Sequence, residues 1–285
     1  MVMAVLEARY PTFSKPHQLH TYPASGTILG ECAAPAQPIN IPDNFPSFLW
    51  ARFDMALTKK TQKKLLERYE ILKPLLVHTG PSGRDKNRSP TDACHFGVWE
   101  HYAQAPMVTK DSLEQSPEGL IALDGLLDVI SRDIAPTVNG LLERHSRPLY
   151  SKQQKYALPV HIALHSLTYT RQYRRIQSYP QYIAVFHRRP SLDFQGAFFS
   201  VAVKEGGSST LHLDFHDYKL GWAWIWCVGD FKGGELCLPQ LGIKIPLVPG
   251  QLLGFMAGSL AHCTAPLSGR RVVFTGFCDN FVMTH

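Results

Sequence analysis

After Pro190 the chain is written in short apolar stretches, several of them alternating, separated by Gly and Pro: "GAFFSVAVKEG", "TLHLDFHD", "WAWIWCVGD", "GGELCLPQLG", "IKIPLVPG", "QLLGFMAG", "AHCTAPLSG" and "RRVVFTGF". Alternation with a period of two over a few residues marks strands with one face on a core. A run of such strands joined by tight turns predicts a jelly-roll-like double sheet. Upstream the period lengthens. From Ser116, "SPEGLIALDGLLDVISRDIAPTVNGLLERH" has Ser at an N-cap, Pro at the first helical position and apolar residues at helical spacing, with Pro136 as a break. A short basic helix is expected near Thr58 to Tyr69 and an amphipathic one around Val160 to Ile176. The expected architecture is α+β, a jelly-roll core with supporting helices packed on one sheet. Residues 1–110 read as an irregular N-terminal arm with the short basic helix, 111–190 as supporting helices and 191–285 as the core, together one compact domain.

Composition narrows the classes. With 45% hydrophobic and 18% charged residues the chain is an ordinary globular protein, not a disordered one. It offers no basic-then-apolar leader and no run of some eighteen apolar residues, so it is expected to be soluble, intracellular and not secreted, without a membrane partner; a monomer is the default expectation. Its six cysteines contain no CxxC pair and read as reduced thiols. The formal charge of +6 favours acidic partners without specifying one.

The stretch "LHLDFHDYKLGW", Leu211 to Trp222, carries the first candidate chemistry. Read as a strand, it puts Leu211, Leu213 and Phe215 on a core face and His212, Asp214 and His216 on the other. His212 and Asp214 can approach one ion together. His262 arrives fifty residues later, and two neutral imidazoles with one carboxylate make the facial triad that leaves positions open on Fe(II). Adding His216 as a ligand would stretch the donors over roughly 13 Å of strand, too wide for one ion unless the strand bends. His216 and Asp217 therefore read as lip residues, solvated or facing substrate. In "SGRRVVFTGF", Arg270 and Arg271 alternate faces, so one of them can enter the core, where a guanidinium needs a carboxylate to grip. A small dicarboxylic co-substrate would supply it.

His212-x-Asp214, the segment "GGELCLPQLGIKIPLVPGQLLGF", His262 and Gly269-x-Arg271 together resemble the double-stranded β-helix of Fe(II)- and 2-oxoglutarate-dependent oxygenases. The text from Gly196 to about Phe277 is similar to the TET and J-binding-protein-like branch, particularly its fungal members. The resemblance implies that His212, Asp214 and His262 hold iron and that Arg271 pairs with the distal carboxylate of 2-oxoglutarate, with O2 as second co-substrate. It further implies oxidation of methylated bases in DNA, 5-methylcytosine first and N6-methyladenine as the alternative, and hence nuclear residence if DNA is the substrate, cytoplasmic otherwise. A protein side chain or small metabolite as substrate, and a binding module without catalysis, are the competing readings.

Substrate-contact candidates follow from charge and aromaticity. "RQYRR" places Arg171, Arg174 and Arg175, and "HRRP" places Arg188 and Arg189, where they could meet phosphates. In "WAWIW" the three tryptophans share a face and are expected to pack the sheet, with Trp222, nearest the lip, as the candidate stacking surface.

Overall fold

In the computed structural model the described residues are 18–31, 48–77, 93–99, 107–162, 188–208, 210–280 and 283. The strands are β1 (His20–Thr21), β2 (Ile28–Glu31), β3 (Phe48–Phe53), β4 (Cys94–Trp99), β5 (Met107–Val108), β6 (Ser200–Glu205), β7 (Ala223–Gly233), β8 (Leu236–Leu238), β9 (Ile243–Ile245), β10 (Leu252–Phe255), β11 (Cys263–Thr264) and β12 (Leu267–Phe277). They form a larger sheet in the order β2-β3-β10-β7-β12-β6-β4-β5 and a smaller one in the order β1-β9-β8-β11. Neither sheet closes on itself, and a cavity lies between them. The double-sheet core expected from the strand pattern is present.

The larger sheet is covered on its outer side by helices α1 (Lys59–Leu72), α2 (Lys110–Leu113), α3 (Pro117–Val129), α4 (Ala135–His145) and α5 (Arg147–Ile162). Local chemistry starts them where the sequence indicates. Thr58 caps α1 by accepting from the Thr61 amide, and Ser116 caps α3 by accepting from Gly119, with Pro117 following. Pro136 does not break the helical run as expected. Five π-helical residues, Ile130–Ile134, precede it and lead into α4, which widens the spiral where the proline ring and its missing N–H would otherwise collide with the preceding turn.

Strand alternation decides which side chains meet the helices. On β7, Trp224 and Trp226 are buried with Phe53, Phe198 and Phe274 against the helical layer, and Phe53 also meets His145 of α4. Leu123 and Leu126 of α3 are completely buried in the same core. Leu126→Ala is expected to cost about 2–5 kcal/mol, read as a lowered denaturation midpoint with an unchanged slope.

The expectation of an irregular arm over 1–110 is corrected. β3 is an interior strand of the larger sheet, paired with both β2 and β10, and β4 pairs with β6. The Pro-rich flanks of "FLWARF" hide a buried, nearly continuous apolar strand. Arg52 within it is buried, and its two terminal nitrogens donate to the carbonyls of Pro246, Ser25 and Gly26. The amphipathic helix expected around Val160 to Ile176 falls almost wholly outside the described residues.

Candidate metal centre and co-substrate pocket

One antiparallel bridge closes the fifty-residue gap between the two histidines. The His212 amide donates to the His262 carbonyl at 3.0 Å and the His262 amide returns the bond at 2.9 Å. Directly opposed residues in such a pair carry neighbouring side chains, and the two imidazole centroids are 4.3 Å apart. The chain then curls. The Asp214 amide donates to Ala257, and the Asp217 amide donates back to the Asp214 carbonyl, so the segment turns after one bridged residue.

That turn aims the Asp214 carboxylate at both rings, with Oδ1 3.7 Å from His212 Nε2 and Oδ2 3.4 Å from His262 Nε2. The donor atoms of the three residues lie within 4.8 Å of one another. Each imidazole is held from behind: Nδ1 of His212 lies 2.8 Å from the Thr210 carbonyl, and Nδ1 of His262 lies 2.9 Å from the Leu260 carbonyl. A carbonyl only accepts, so both Nδ1 atoms carry a proton and both Nε2 atoms face the carboxylate. This is how metal-ligating histidines are oriented. The edge of His262 also meets Phe255 at 4.8 Å. The residues fit a divalent cation with imidazole and carboxylate preference.

The cluster opens on a cavity of about 350 Å³ between the sheets. Arg271 of β12 lines it and is only 4% exposed, while Arg270 turns outward to Glu205 and Glu70. No carboxylate lies within ion-pair distance of Arg271 among the described residues, and its Nε has no hydrogen-bond partner. Its guanidinium rests 5.3 Å from the Phe231 ring, and Gly234 leaves it room, since a Cβ there would come within 3.0 Å of Nη1. Burial pushes the neighbouring Cys227 thiol up, against the opposing field of Arg271. Arg52, by contrast, is buried but carbonyl-bonded. A buried guanidinium without an acid partner fits a bound carboxylate.

The remaining candidates divide. His216 and Asp217 line the mouth of the cavity, where Asp217 bridges Asp279 on the chain leaving β12. His216 is outside the donor cluster because the chain has already turned. Trp222 does not reach the cavity: it is 1% exposed and packs on Trp224 and Gly254. Its parity is that of Trp224 and Trp226, and it is Ile225, of opposite parity, that faces the cavity. Arg189 is likewise removed from the phosphate set. It grips Asp124 of α3 at 2.7 Å and also donates to the Ser112 carbonyl, a structural clamp. Arg188 is exposed. Arg171, Arg174 and Arg175 lie outside the described residues.

Several further residues line the cavity. His95 of β4 stacks near Trp99 and meets Phe277 edge-on, and Asp279 lines the wall although almost wholly buried. Lys204 reaches Ser208 at 3.0 Å from the same inner face. Only the alternation of β4, β6 and β12 against the smaller sheet brings them together.

No family model matches the chain, and no curated protein sequence matches it. Among solved structures, NgTET1 in complex with 5mC DNA aligns with a TM-score of 0.52 at 18% identity, over 83% of this chain and 74% of that one. A viral collagen prolyl hydroxylase from Paramecium bursaria Chlorella virus-1 in its 2OG complex (TM-score 0.40, 12% identity, 80% and 94% covered) and OsALKBH1 (0.43, 11%, 80% and 97%) are more distant. At this identity the likeness to NgTET1 is one of fold. The chain has a double-stranded β-helix fold, which it shares with NgTET1.

Proposed function

We propose that this protein is an Fe(II)- and 2-oxoglutarate-dependent dioxygenase that oxidises methylated bases in DNA, 5-methylcytosine first and N6-methyladenine as the alternative. The observation that carries the oxygenase reading is the pairing of an inward-facing His212–Asp214–His262 cluster with a buried Arg271 that has no acid of its own among the described residues. Iron held by the three residues would supply oxidation of a substrate C–H bond by O2, coupled to conversion of 2-oxoglutarate to succinate and CO2.

The chain's own part is positioning. Both histidines are oriented by the Thr210 and Leu260 carbonyls at Nδ1, which turns each Nε2 toward the site. Arg271 would take the distal carboxylate of 2-oxoglutarate through its planar fork, with Ile225, Leu236, Leu247 and Val273 keeping water from that end of the cavity. Asp217 and Asp279 at the other end are acceptors for an exocyclic amine, which cytosine and adenine both present.

Three observations support a nucleic-acid substrate: the fold shared with a protein whose structure contains 5mC DNA, the positive net charge, and a cavity with carboxylates at its mouth. A base in duplex DNA reaches the cavity only by flipping out of the stack. Arg188, with Arg171, Arg174 and Arg175, would hold phosphates, and the enzyme would work in the nucleus.

The test is mass spectrometry of nucleosides digested after incubation with Fe(II), 2-oxoglutarate, O2 and a duplex carrying both modified bases, with succinate measured in the same tubes. Loss of either base, matched by its oxidised or demethylated product and dependent on 2-oxoglutarate, is the expected result. Succinate without base change would move the substrate to a protein side chain or small metabolite. Neither signal would leave a binding module. Substituting Arg171, Arg174 and Arg175 together is expected to weaken duplex binding and flatten the log–log salt dependence by about three units of slope. An unchanged salt titration would overturn their placement.

A further inference from the structure

Phe215 follows the candidate ligand Asp214, and alternation predicts it on the core face of a strand; the turn places it elsewhere. It is 59% exposed, makes no ring contact among the described residues, and lines the mouth of the cavity with His216 and Asp217. Exposed apolar residues occur singly on most proteins, and Met55 and Ile121 are further examples here, away from the cavity lining. Phe215 differs in its setting.

Its backbone is held on every side. Asp214 donates to Ala257, Asp217 closes the turn onto Asp214, Tyr218 donates to Cys278, and Asn280 donates to the His216 carbonyl. Gly258 packs beneath the turn so closely that a Cβ there would meet the Asp217 carbonyl at 3.0 Å. An aromatic ring is thus presented on the turn, one residue from the His212–Asp214–His262 cluster, with the Asp217 carboxylate two residues further along the same cavity lining. A ring with two rigid torsions loses little entropy on binding a flat partner. Aromatic faces with nearby acceptors for an amine match a nucleobase bearing an exocyclic amino group.

We propose that Phe215 is a stacking contact for the substrate base at the cavity mouth, a positioning residue that sets how the extruded base is held; this rests on the nucleic-acid reading above. Stacking is tolerant of base identity, since every base has a π-face. Phe215 therefore governs affinity for an extruded base, while the choice between bases falls to the polar rim.

The experiment compares Phe215→Ala, Phe215→Leu and Phe215→Tyr with wild type on a methylated duplex, measuring base oxidation, succinate, and Co(II) binding in the absence of substrate. Being exposed, the position tolerates all three without loss of fold. Phe215→Ala is expected to lower kcat/KM on duplex by about five- to 150-fold, mainly through KM. More succinate should form per oxidised base, and Co(II) affinity should stay unchanged. Phe215→Tyr should restore activity and Phe215→Leu should not. Wild-type kcat/KM in the alanine variant, rescue by leucine as complete as by tyrosine, or loss of Co(II) binding would each overturn the proposal. Failure of the underlying reading looks different: wild type itself then oxidises no base, and the proposal falls with it.

Discussion

Asp214→Ala is expected to abolish succinate formation and to weaken binding of Fe(II), or of Co(II) as a spectroscopic stand-in, by well over about a hundredfold. Loss of a residue that merely orients a ligand already costs ten- to a hundredfold in many metal sites, and Asp214 is itself a donor shared between two imidazoles. His212→Ala should behave in the same way. The check is a Co(II) titration followed by its visible absorption, alongside 2-oxoglutarate turnover. His216→Ala supplies the contrast, because its ring lies outside the cluster, and its ion affinity should match wild type. Wild-type ion binding in Asp214→Ala would place the ion elsewhere.

Arg271→Met is expected to separate binding from stability. Truncating one partner of a buried, hydrogen-bonded charge pair costs about 2–5 kcal/mol, so 2-oxoglutarate affinity should fall by roughly thirty- to several-thousand-fold. The unliganded protein should melt no lower than wild type. Arg271 is buried beside Phe231 and Cys227 with no acid partner among the described residues, and exchanging such a charge for an apolar side chain of similar length removes a desolvation cost. Thermal melts with and without 2-oxoglutarate read both effects. Wild type should be stabilised by about 2.7 kcal/mol at a hundredfold excess over Kd, and the variant hardly at all. A variant that loses stability but keeps its response to 2-oxoglutarate would make Arg271 structural. Arg271→Lys should fall between, keeping charge but losing the fork.

Much of the centre is legible in the amino-acid sequence. The i, i+2 spacing of His212 and Asp214 puts both on one side, and an arginine at the start of a β-branched strand has one parity that leads inward. Period-two patterning also announces most strands after Pro190, because half-buried strands write their burial into alternate positions. Where both faces are covered, as in β3, alternation vanishes and the strand is hard to see. A local pattern also says nothing of where a strand ends. The alternation of "LHLDFHD" is regular, yet only its ends are bridged, His212 to His262 and Asp217 to Asp279, and the turn between them sends Phe215 outward.

The sequence by itself determined the double-sheet class, the helix starts at Thr58 and Ser116, and the residue types able to hold iron and a dicarboxylate. These follow from local periodicity, capping and the chemistry of single side chains. Tertiary structure alone decided that His212 and His262 face each other across one backbone bridge, and that Arg271 rather than Arg270 is buried away from any acid among the described residues. It also decided that Trp222 and Arg189 belong to the scaffold, and that His95, Phe215 and Asp279 line one cavity. Each of these depends on register between segments far apart in the chain, and register is set by how two sheets and a helical layer pack together, which no local pattern encodes.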